Sequence, residues 1–363
     1  MYDQIRSDIL FGMLYAVVAV LSLISCCYLL FRQGNAFARD VTPPVRLRRW
    51  TAAYFAAAAF CHLWYMPIFF LTSSENIKLC DLVGGLLDSM TVFPLAIIVM
   101  LNMLQDRRRP LWPIALMIAP FVAGSVFSIA TLSYALIPML YVYLLLLSVC
   151  IVIYMVRATR QYGRWLRDNY ADLEHKEVWQ SFVVLAFILL FIAFYAFVGE
   201  SPLSHYAMQL IGIVLIGYLL WRVETLSDLS LPDLSLSIRN RSASPLGLSK
   251  NIGPLLKMYC EDPQLYLKND VSLSLLANQI GVNRSYLSKH FAMQGISYNE
   301  YINGLRIQHF VNLYHEAAAT HQPVTVQKLA YQSGFRSYNT FSVAFKKIMG
   351  MNTTEWIRDQ ISA

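Results

Sequence analysis

The chain has 363 residues, of which 57% are hydrophobic and only 14% are charged, and its formal net charge is +7. This composition excludes an intrinsically disordered chain and is too apolar for an ordinary soluble protein, in which about a quarter of the residues are charged. The apolar residues are concentrated in the first three fifths of the sequence. The chain is therefore predicted to have a membrane-embedded part followed by a soluble part.

Seven consecutive stretches have the length of about 20 apolar residues that crosses a bilayer as a helix. They cover residues 9–31, 50–71, 80–104, 111–132, 134–156, 179–199 and 205–223. The first stretch is too long for the apolar core of a secretory signal and is followed by no small-residue cleavage site. We therefore expect it to remain in the protein as the first of seven spans.

Basic residues in the short loops orient these spans. Thirteen of them lie in the loops before the second, fourth and sixth stretches, whereas the opposite side carries only Arg6 and Lys78. Because cytoplasmic loops are enriched in Lys and Arg, this asymmetry places the N-terminus outside and the chain after Val223 in the cytoplasm. It also requires an odd number of spans.

Ionisable side chains within or beside the spans are costly to bury, so they are candidate signal-sensing residues. The candidates are His62, Asp81, Asp88, Glu200 and His205. Asp81 and Asp88 are seven residues apart and share one helix face, which Gly84 would let another helix or a ligand approach closely. The alternative, that these groups hydrogen-bond neighbouring helices or lie in water at the span ends, stays open.

The sequence contains no recognisable enzyme motif. His315 and Glu316 begin an H-E-x-x-H pattern, but Ala319 occupies the position of its second histidine. The six cysteines form no C-x-x-C pair, so neither a disulfide framework nor a zinc site is indicated. We therefore expect a protein that is not an enzyme and that uses no metal or cofactor.

Composition divides the chain into three regions. Residues 1–224 form the predicted membrane domain, and residues 225–250, rich in Ser, Leu and Pro, show no sustained helical period. Residues 251–363 show amphipathic helices separated by polar turns and are long enough to bury a core of their own. The predicted fold class is all-α, with a helical membrane bundle, a linker and a soluble all-α domain.

A first helix-turn-helix pattern precedes Phe291. Gly281 ends its first helix, and Asn283 is suited to cap the second. Leu287 and Phe291 are four residues apart, so they lie on one face of that second helix, which we expect to pack into the core of the domain. The outward residues are Arg284, Ser285, Ser288 and Lys289. Because the second helix of this motif enters the major groove, they are candidate DNA contacts.

The pattern recurs later in the chain, where Ala330 and Gly334 repeat the spacing of Ala277 and Gly281. The outward residues of its second helix are Tyr338, Asn339, Thr340, Ser342 and Val343. Between the two copies, residues 298–316 are predicted to form one helix of about 28 Å. That length is close to the roughly 34 Å between major-groove faces one DNA turn apart, so both copies suit one face of a duplex.

Three motifs in this region are LSLLANQIGVNRSYLSKHF, YNEYINGLRIQHF and VQKLAYQSGFRSYNTFSVAFKKIMGMNTTEW. Together they resemble the DNA-binding domain of the AraC/XylS family of bacterial transcription regulators, over about a quarter of the chain. The resemblance implies two recognition helices, with Arg284 near the DNA backbone and Lys346 and Lys347 as phosphate contacts or surface charges. The implied DNA-binding residues are Arg284, Ser285, Ser288, Lys289, Arg336, Tyr338, Asn339, Thr340, Ser342, Val343, Lys346 and Lys347.

Two positions depart from the family pattern. After Gly350 the family has Thr-Pro, whereas this chain has Thr353 and Thr354, and a threonine can still cap the helix that follows. Val343 stands where the family often has a polar or basic residue, which favours an apolar contact such as one with a thymine methyl group.

These features predict a one-component regulator in the bacterial inner membrane, with its C-terminal domain in the cytoplasm. Its expected partners are double-stranded promoter DNA, the lipid bilayer, a second copy of the chain, RNA polymerase and a signal ligand whose chemistry the sequence does not specify. Two alternatives stay open: a membrane enzyme or transporter with an appended regulatory domain, and a precursor from which proteolysis releases a soluble regulator.

Overall fold

All regular secondary structure in the described part of the chain is helical, which confirms the predicted fold class. The computed structural model describes residues 8–39, 41–184, 186–187, 202–229, 252–320 and 324–362. The chain divides into two compact units. The membrane unit consists of Met1–Tyr162 and Val178–Ser230, and the C-terminal unit of Gly163–Glu177 and Leu231–Ala363.

Long apolar helices make up the membrane unit. They are α1 Ile9–Phe31, α2 Val45–Tyr65, α3 Ser74–Met90, α4 Val92–Met103, α5 Trp112–Thr131, α6 Ile137–Asn169 and α7 Pro202–Thr225. The α6 helix continues past Tyr162 into the C-terminal unit. The helix is interrupted at Thr91, between α3 and α4. Pro94 follows closely, and because it lacks an N–H it cannot extend the hydrogen-bond ladder of α3.

Six candidate membrane spans satisfy the length and hydropathy of a bilayer crossing among the described residues. They are Ile9–Phe31, Val45–Phe69, Ser74–Met103, Trp112–Thr131, Ile137–Asn169 and His205–Thr225. They correspond to six of the seven predicted stretches. The remaining stretch, 179–199, lies largely outside the described residues, as does most of the predicted linker, 225–250.

Two hydrophobic cores organise the C-terminal unit. Its helices are α8 Ile252–Leu256, α9 Leu273–Ile280, α10 Arg284–Met293, α11 Tyr298–Ala319, α12 Val326–Gln332, α13 Tyr338–Met349 and α14 Thr353–Ser362. The first core contains α9, α10 and the start of α11, including Tyr298 and Ile302. The second contains Ile307 and Phe310 of α11 with α12, α13 and Trp356 of α14. Both cores therefore share α11, whose 22 residues span about 33 Å.

Local capping signals fix the helix starts that position the two recognition helices. The Asn283 side chain accepts a hydrogen bond from the Ser285 N–H at 2.8 Å, and the Ser337 hydroxyl accepts one from the Thr340 N–H at 3.3 Å. These contacts satisfy backbone donors that the first turn of a helix otherwise leaves unpaired. At α14 the cap is Asn352, which accepts from the Glu355 N–H at 2.9 Å, rather than a threonine.

The turn of the second helix-turn-helix requires a glycine for two reasons. Gly334 has a φ of 87°, in the left-handed region that L side chains rarely adopt. A Cβ atom there would also lie 2.7 Å from the Leu267 Cα. The corresponding Gly281 of the first motif has a φ of 75° but no atom near its Cβ position. The second turn is thus held against the backbone at Leu267, and the first is not.

Arg306 joins the two cores from its buried position in α11. Its side chain donates to the backbone oxygens of Tyr266 at 2.7 Å and Lys268 at 2.8 Å. Its guanidinium also lies over the ring of Phe335, 5.5 Å from the centroid. Burial lowers the pKa of Arg306 to about 10, so the side chain stays charged at neutral pH.

Candidate nucleic-acid interface

The first recognition helix, α10, presents a polar face because its apolar residues point inward. Leu287 and Phe291 are buried, whereas Ser285 and Lys289 are exposed and Ser288 is half-buried. Tyr286 is also exposed on this helix, although the sequence pattern did not single it out. Tyr286 lies outside the four-residue spacing of the core residues Leu287 and Phe291, and this spacing could have identified it as exposed.

Arg284, the first residue of α10, is bound within the C-terminal unit. Its Nε donates to the Oδ1 of Asn169 at 2.9 Å, and its Nη2 donates to the same oxygen. Asn169 lies more than one hundred residues earlier in the chain and was not among the predicted functional residues. Arg284, a candidate contact with the DNA backbone, therefore has a hydrogen-bond partner within the protein.

The second recognition helix, α13, is built in the same way. Phe341 and Phe345 are fully buried in the second core. The exposed side chains are Tyr338, Asn339, Val343, Lys346 and Lys347, and the half-buried ones are Thr340, Ser342 and Arg336. The Thr340 hydroxyl lies 2.9 Å from that of Ser337, so it belongs partly to the helix cap. Arg336 forms a long ion pair of 3.9 Å with Asp270.

Lys347 is tied to the first turn of α11. Its Nζ donates to the Oε1 of Glu300 at 2.6 Å. The Oε2 of Glu300 accepts from the Ser297 N–H at 2.8 Å, which completes a capping box at the start of α11. These contacts, the Lys347 hydrogen bond first among them, lower the pKa of Glu300 to about 2. Glu300 thus connects the second recognition helix to the first core.

This low pKa predicts an acid-sensitive contribution to stability. Because the folded-state pKa lies below that of a free glutamate, the contribution is complete above about pH 4.5 and is lost as the pH falls toward 2. The pair is partly exposed, so we expect it to be worth about 0.5–1 kcal/mol. Glu300→Gln, which can keep the capping box, should lower unfolding stability at neutral pH but not near pH 2. An equal stability difference at both pH values would contradict this assignment.

Three candidate sensing residues of the membrane unit, His62, Asp81 and Asp88, are hydrogen-bonded within it. The His62 Nδ1 lies 2.9 Å from the Ala58 backbone oxygen, and its Nε2 lies 3.4 Å from the Oε1 of Gln209. The ring of His62 also packs against that of Tyr15, with 4.7 Å between centroids. His62 therefore connects α1, α2 and α7.

The two aspartates of α3 bind different tyrosines. Asp88 accepts a hydrogen bond from the Tyr65 hydroxyl at 3.0 Å, and Asp81 accepts one from the Tyr134 hydroxyl at 3.0 Å. The Tyr65 ring fills the space beside Gly84, where an added Cβ would lie only 2.3 Å from it. That glycine accommodates a neighbouring side chain of the same unit.

His205 begins a candidate membrane span. The His205 ring packs edge-on against Phe11 at 6.2 Å. Glu200 lies outside the described residues.

A buried ion cluster at the end of α7 was missed by the sequence analysis. The Glu224 carboxylate is fully buried, 2.8 Å from the Arg32 guanidinium and 3.9 Å from that of Arg48. The Asn35 side chain also donates to the Glu224 backbone oxygen at 2.8 Å. In the sequence, Arg32 and Arg48 counted only as orienting charges, and no local pattern connects them to Glu224.

Known proteins resemble about a quarter of this chain. A family model described as a helix-turn-helix domain matches residues 276–359. An uncharacterized HTH-type transcriptional regulator of Staphylococcus aureus (strain MRSA252) is 33% identical over 88 residues, which are 24% of this chain and 11% of that protein. The TCP pilus virulence regulatory protein of Vibrio cholerae (strain O395) is 29% identical over 82 residues, 23% of this chain and 28% of that protein.

The chain thus spans between about a tenth and 28% of the length of these relatives. No solved structure matches it significantly. The matched residues form an AraC-type helix-turn-helix domain, as the sequence motifs predicted.

Proposed function

We propose that this protein is a membrane-anchored one-component transcription regulator. Its AraC-type domain binds promoter DNA sequence-specifically through α10 and α13, and its membrane unit controls that binding in response to a signal. The observation that carries the proposal is the presence, in one chain, of two helix-turn-helix motifs and six helices long and apolar enough to cross a membrane.

The geometry of the C-terminal unit supports DNA binding. Both recognition helices bury their phenylalanines and expose polar or basic side chains such as Lys289 and Asn339. The α11 helix that links them spans about 33 Å, close to one turn of DNA. Two recognition helices on one shared support can therefore reach successive major-groove faces of one duplex.

Exposed apolar side chains support membrane anchoring. On the helices of the membrane unit, Leu116 is 68% exposed, Met139 70% and Leu10 66%. Large exposed apolar surfaces are unfavourable in water and are stable against lipid. With basic loops on one side, the unit would lie in a bacterial inner membrane with its N-terminus outside.

Control by a signal would require two arrangements of the membrane unit that differ in their effect on DNA binding. His62 and Asp88 are the candidate sensing residues that the described helices bring closest to the middle of a span. A homodimer would present two DNA-binding domains to paired half-sites, and RNA polymerase is a further proposed partner.

Crosslinking and immunoprecipitation of the tagged full-length protein from the membrane fraction tests the proposal. We expect DNA fragments that share a paired half-site. Lys289→Ala and Asn339→Ala should each weaken specific binding about fivefold or more, because one lost base contact is worth about 1–3 kcal/mol. Both variants should remain in the membrane fraction.

Lys257→Ala is the matched control, because it removes an exposed lysine outside both recognition helices. It should leave the enrichment unchanged. Retained enrichment in both recognition-helix variants would contradict the assignment of α10 and α13. A soluble C-terminal fragment that holds the DNA, with none held in the membrane fraction, would instead support release by proteolysis.

A further inference from the structure

Residues 163–177, which separate two predicted membrane spans in the sequence, are part of the C-terminal unit. We call them the 163–177 segment. Ala171 of this segment is fully buried within the first core. Its N–H donates to the Val271 backbone oxygen at 3.5 Å, and its own backbone oxygen accepts from the Asn299 side chain at 2.6 Å. The segment is therefore anchored to the helix-turn-helix domain by burial and by backbone hydrogen bonds.

The residues that hydrogen-bond to the 163–177 segment lie where three helices begin. Val271 is two residues before α9, Arg284 opens α10, and Asn299 is in the first turn of α11. The N-terminal end of a recognition helix is the end that approaches DNA, and its free N–H groups and dipole favour a phosphate. The 163–177 segment thus occupies the neighbourhood in which the DNA backbone is expected.

Asn169 is held in position to bind Arg284. Its Nδ2 donates to the Trp165 backbone oxygen at 2.6 Å, which turns its Oδ1 toward the guanidinium. Two nitrogens of Arg284 then donate to this one oxygen. Asn169 is only 8% exposed, whereas Arg284 is exposed. The acceptor is therefore buried, and the donor lies at the surface.

We propose that the 163–177 segment is an intramolecular inhibitor of the first recognition helix, in which Asn169 competes with a DNA phosphate for Arg284. This inference rests on the proposed function. A guanidinium binds a charged phosphate more strongly than a neutral amide, so the contact sets a threshold for binding without blocking it. Asn169 is also the last residue of α6, a candidate membrane span, so a displacement of this helix end would carry the competing oxygen with it.

The test measures DNA binding by the full-length protein in lipid nanodiscs. The probe is a fluorescent mixed-sequence duplex about four helical turns long, titrated at several salt concentrations. Asn169→Leu frees Arg284 and should tighten binding about threefold to tenfold. The slope of log affinity against log salt should stay the same, because Arg284 contacts the phosphate in both complexes, whereas Arg284→Ala should lower its magnitude by about 0.9.

Asn169→Asp is the nearly isosteric counterpart. Its carboxylate cannot donate to the Trp165 backbone oxygen, but it forms an ion pair with the guanidinium, so binding should weaken instead of tighten. In an Arg284→Ala background, neither change at Asn169 should alter affinity or slope, because the competing group is gone. A folding defect would lower affinity in both backgrounds and would not change sign between leucine and aspartate.

Two results would overturn the inference in different ways. If the wild type binds the duplex but Asn169→Leu and Asn169→Asp bind it equally well, the 163–177 segment is a structural part of the unit only. If the wild type and every variant fail to bind the duplex at any salt concentration, the proposed function itself is wrong.

Discussion

Replacing Gly334 by alanine should destabilise the second helix-turn-helix by about 2–4 kcal/mol. The added methyl group would strain a backbone with a φ of 87° and would lie 2.7 Å from the Leu267 Cα, which is backbone and cannot rotate away. Native-state hydrogen exchange of the α12 and α13 amides measures this loss, since it reports the local free energy of opening. Specific DNA binding should fall with it.

Gly281→Ala is the matched control at the equivalent turn of the first motif. Its φ of 75° carries the same kind of strain, but its Cβ position is open. We therefore expect a smaller loss of about 1 kcal/mol, measured from the α9 and α10 amides. Equal losses at the two glycines would show that the contact with Leu267 contributes nothing.

Arg306→Met is expected to cost about 3–5 kcal/mol and to loosen both cores together. Methionine fills much of the same volume, but it removes the buried Arg306 donor from the Tyr266 backbone oxygen and one of two donors from the Lys268 backbone oxygen. The contact with Phe335 is lost as well. Exchange protection should therefore fall in α9 and in α12, on either side of the substituted residue.

Arg358→Met serves as the comparison, because it changes an exposed arginine of α14 in the same unit. Surface substitutions of this kind usually change stability by less than about 0.5 kcal/mol. If Arg306→Met altered protection in only one core, Arg306 would not join the two.

Local sequence signals predicted the helix-turn-helix architecture. Asn283 was identified as a cap and Gly281 as a helix end from their neighbours alone, because caps and left-handed turns depend on a few adjacent residues. The core positions Leu287 and Phe291 followed from helical spacing. The structure assigns the same roles to all four residues.

Helix bounds in the membrane unit were less predictable than the presence of the helices. The α2 helix begins at Val45, five residues before the predicted apolar stretch, and α6 continues to Asn169, thirteen residues beyond its stretch. Hydropathy marks where a chain can enter hydrocarbon, whereas a helix can continue into the polar region around it. Charged residues such as Arg46 and Arg164 therefore lie inside helices.

Contacts between distant parts of the chain were not predictable. Asn169 and Arg284 are 115 residues apart, and Glu224 is far from Arg32. No periodicity or cap connects such pairs, because only the tertiary fold brings them together. The sequence accordingly identified Arg284 as a candidate DNA contact and gave no sign of its protein partner.

The length of α11, the helix shared by the two cores, sets the distance and the rotation between the two recognition helices. Each residue of α11 contributes about 1.5 Å of length but about 100° of rotation, so one inserted residue would turn the recognition helices relative to each other long before it separated them noticeably. Changes in length there would misalign one helix with its groove. Adaptation to a promoter with a different spacing between the two contacted sites would therefore require changes outside α11 rather than a longer α11.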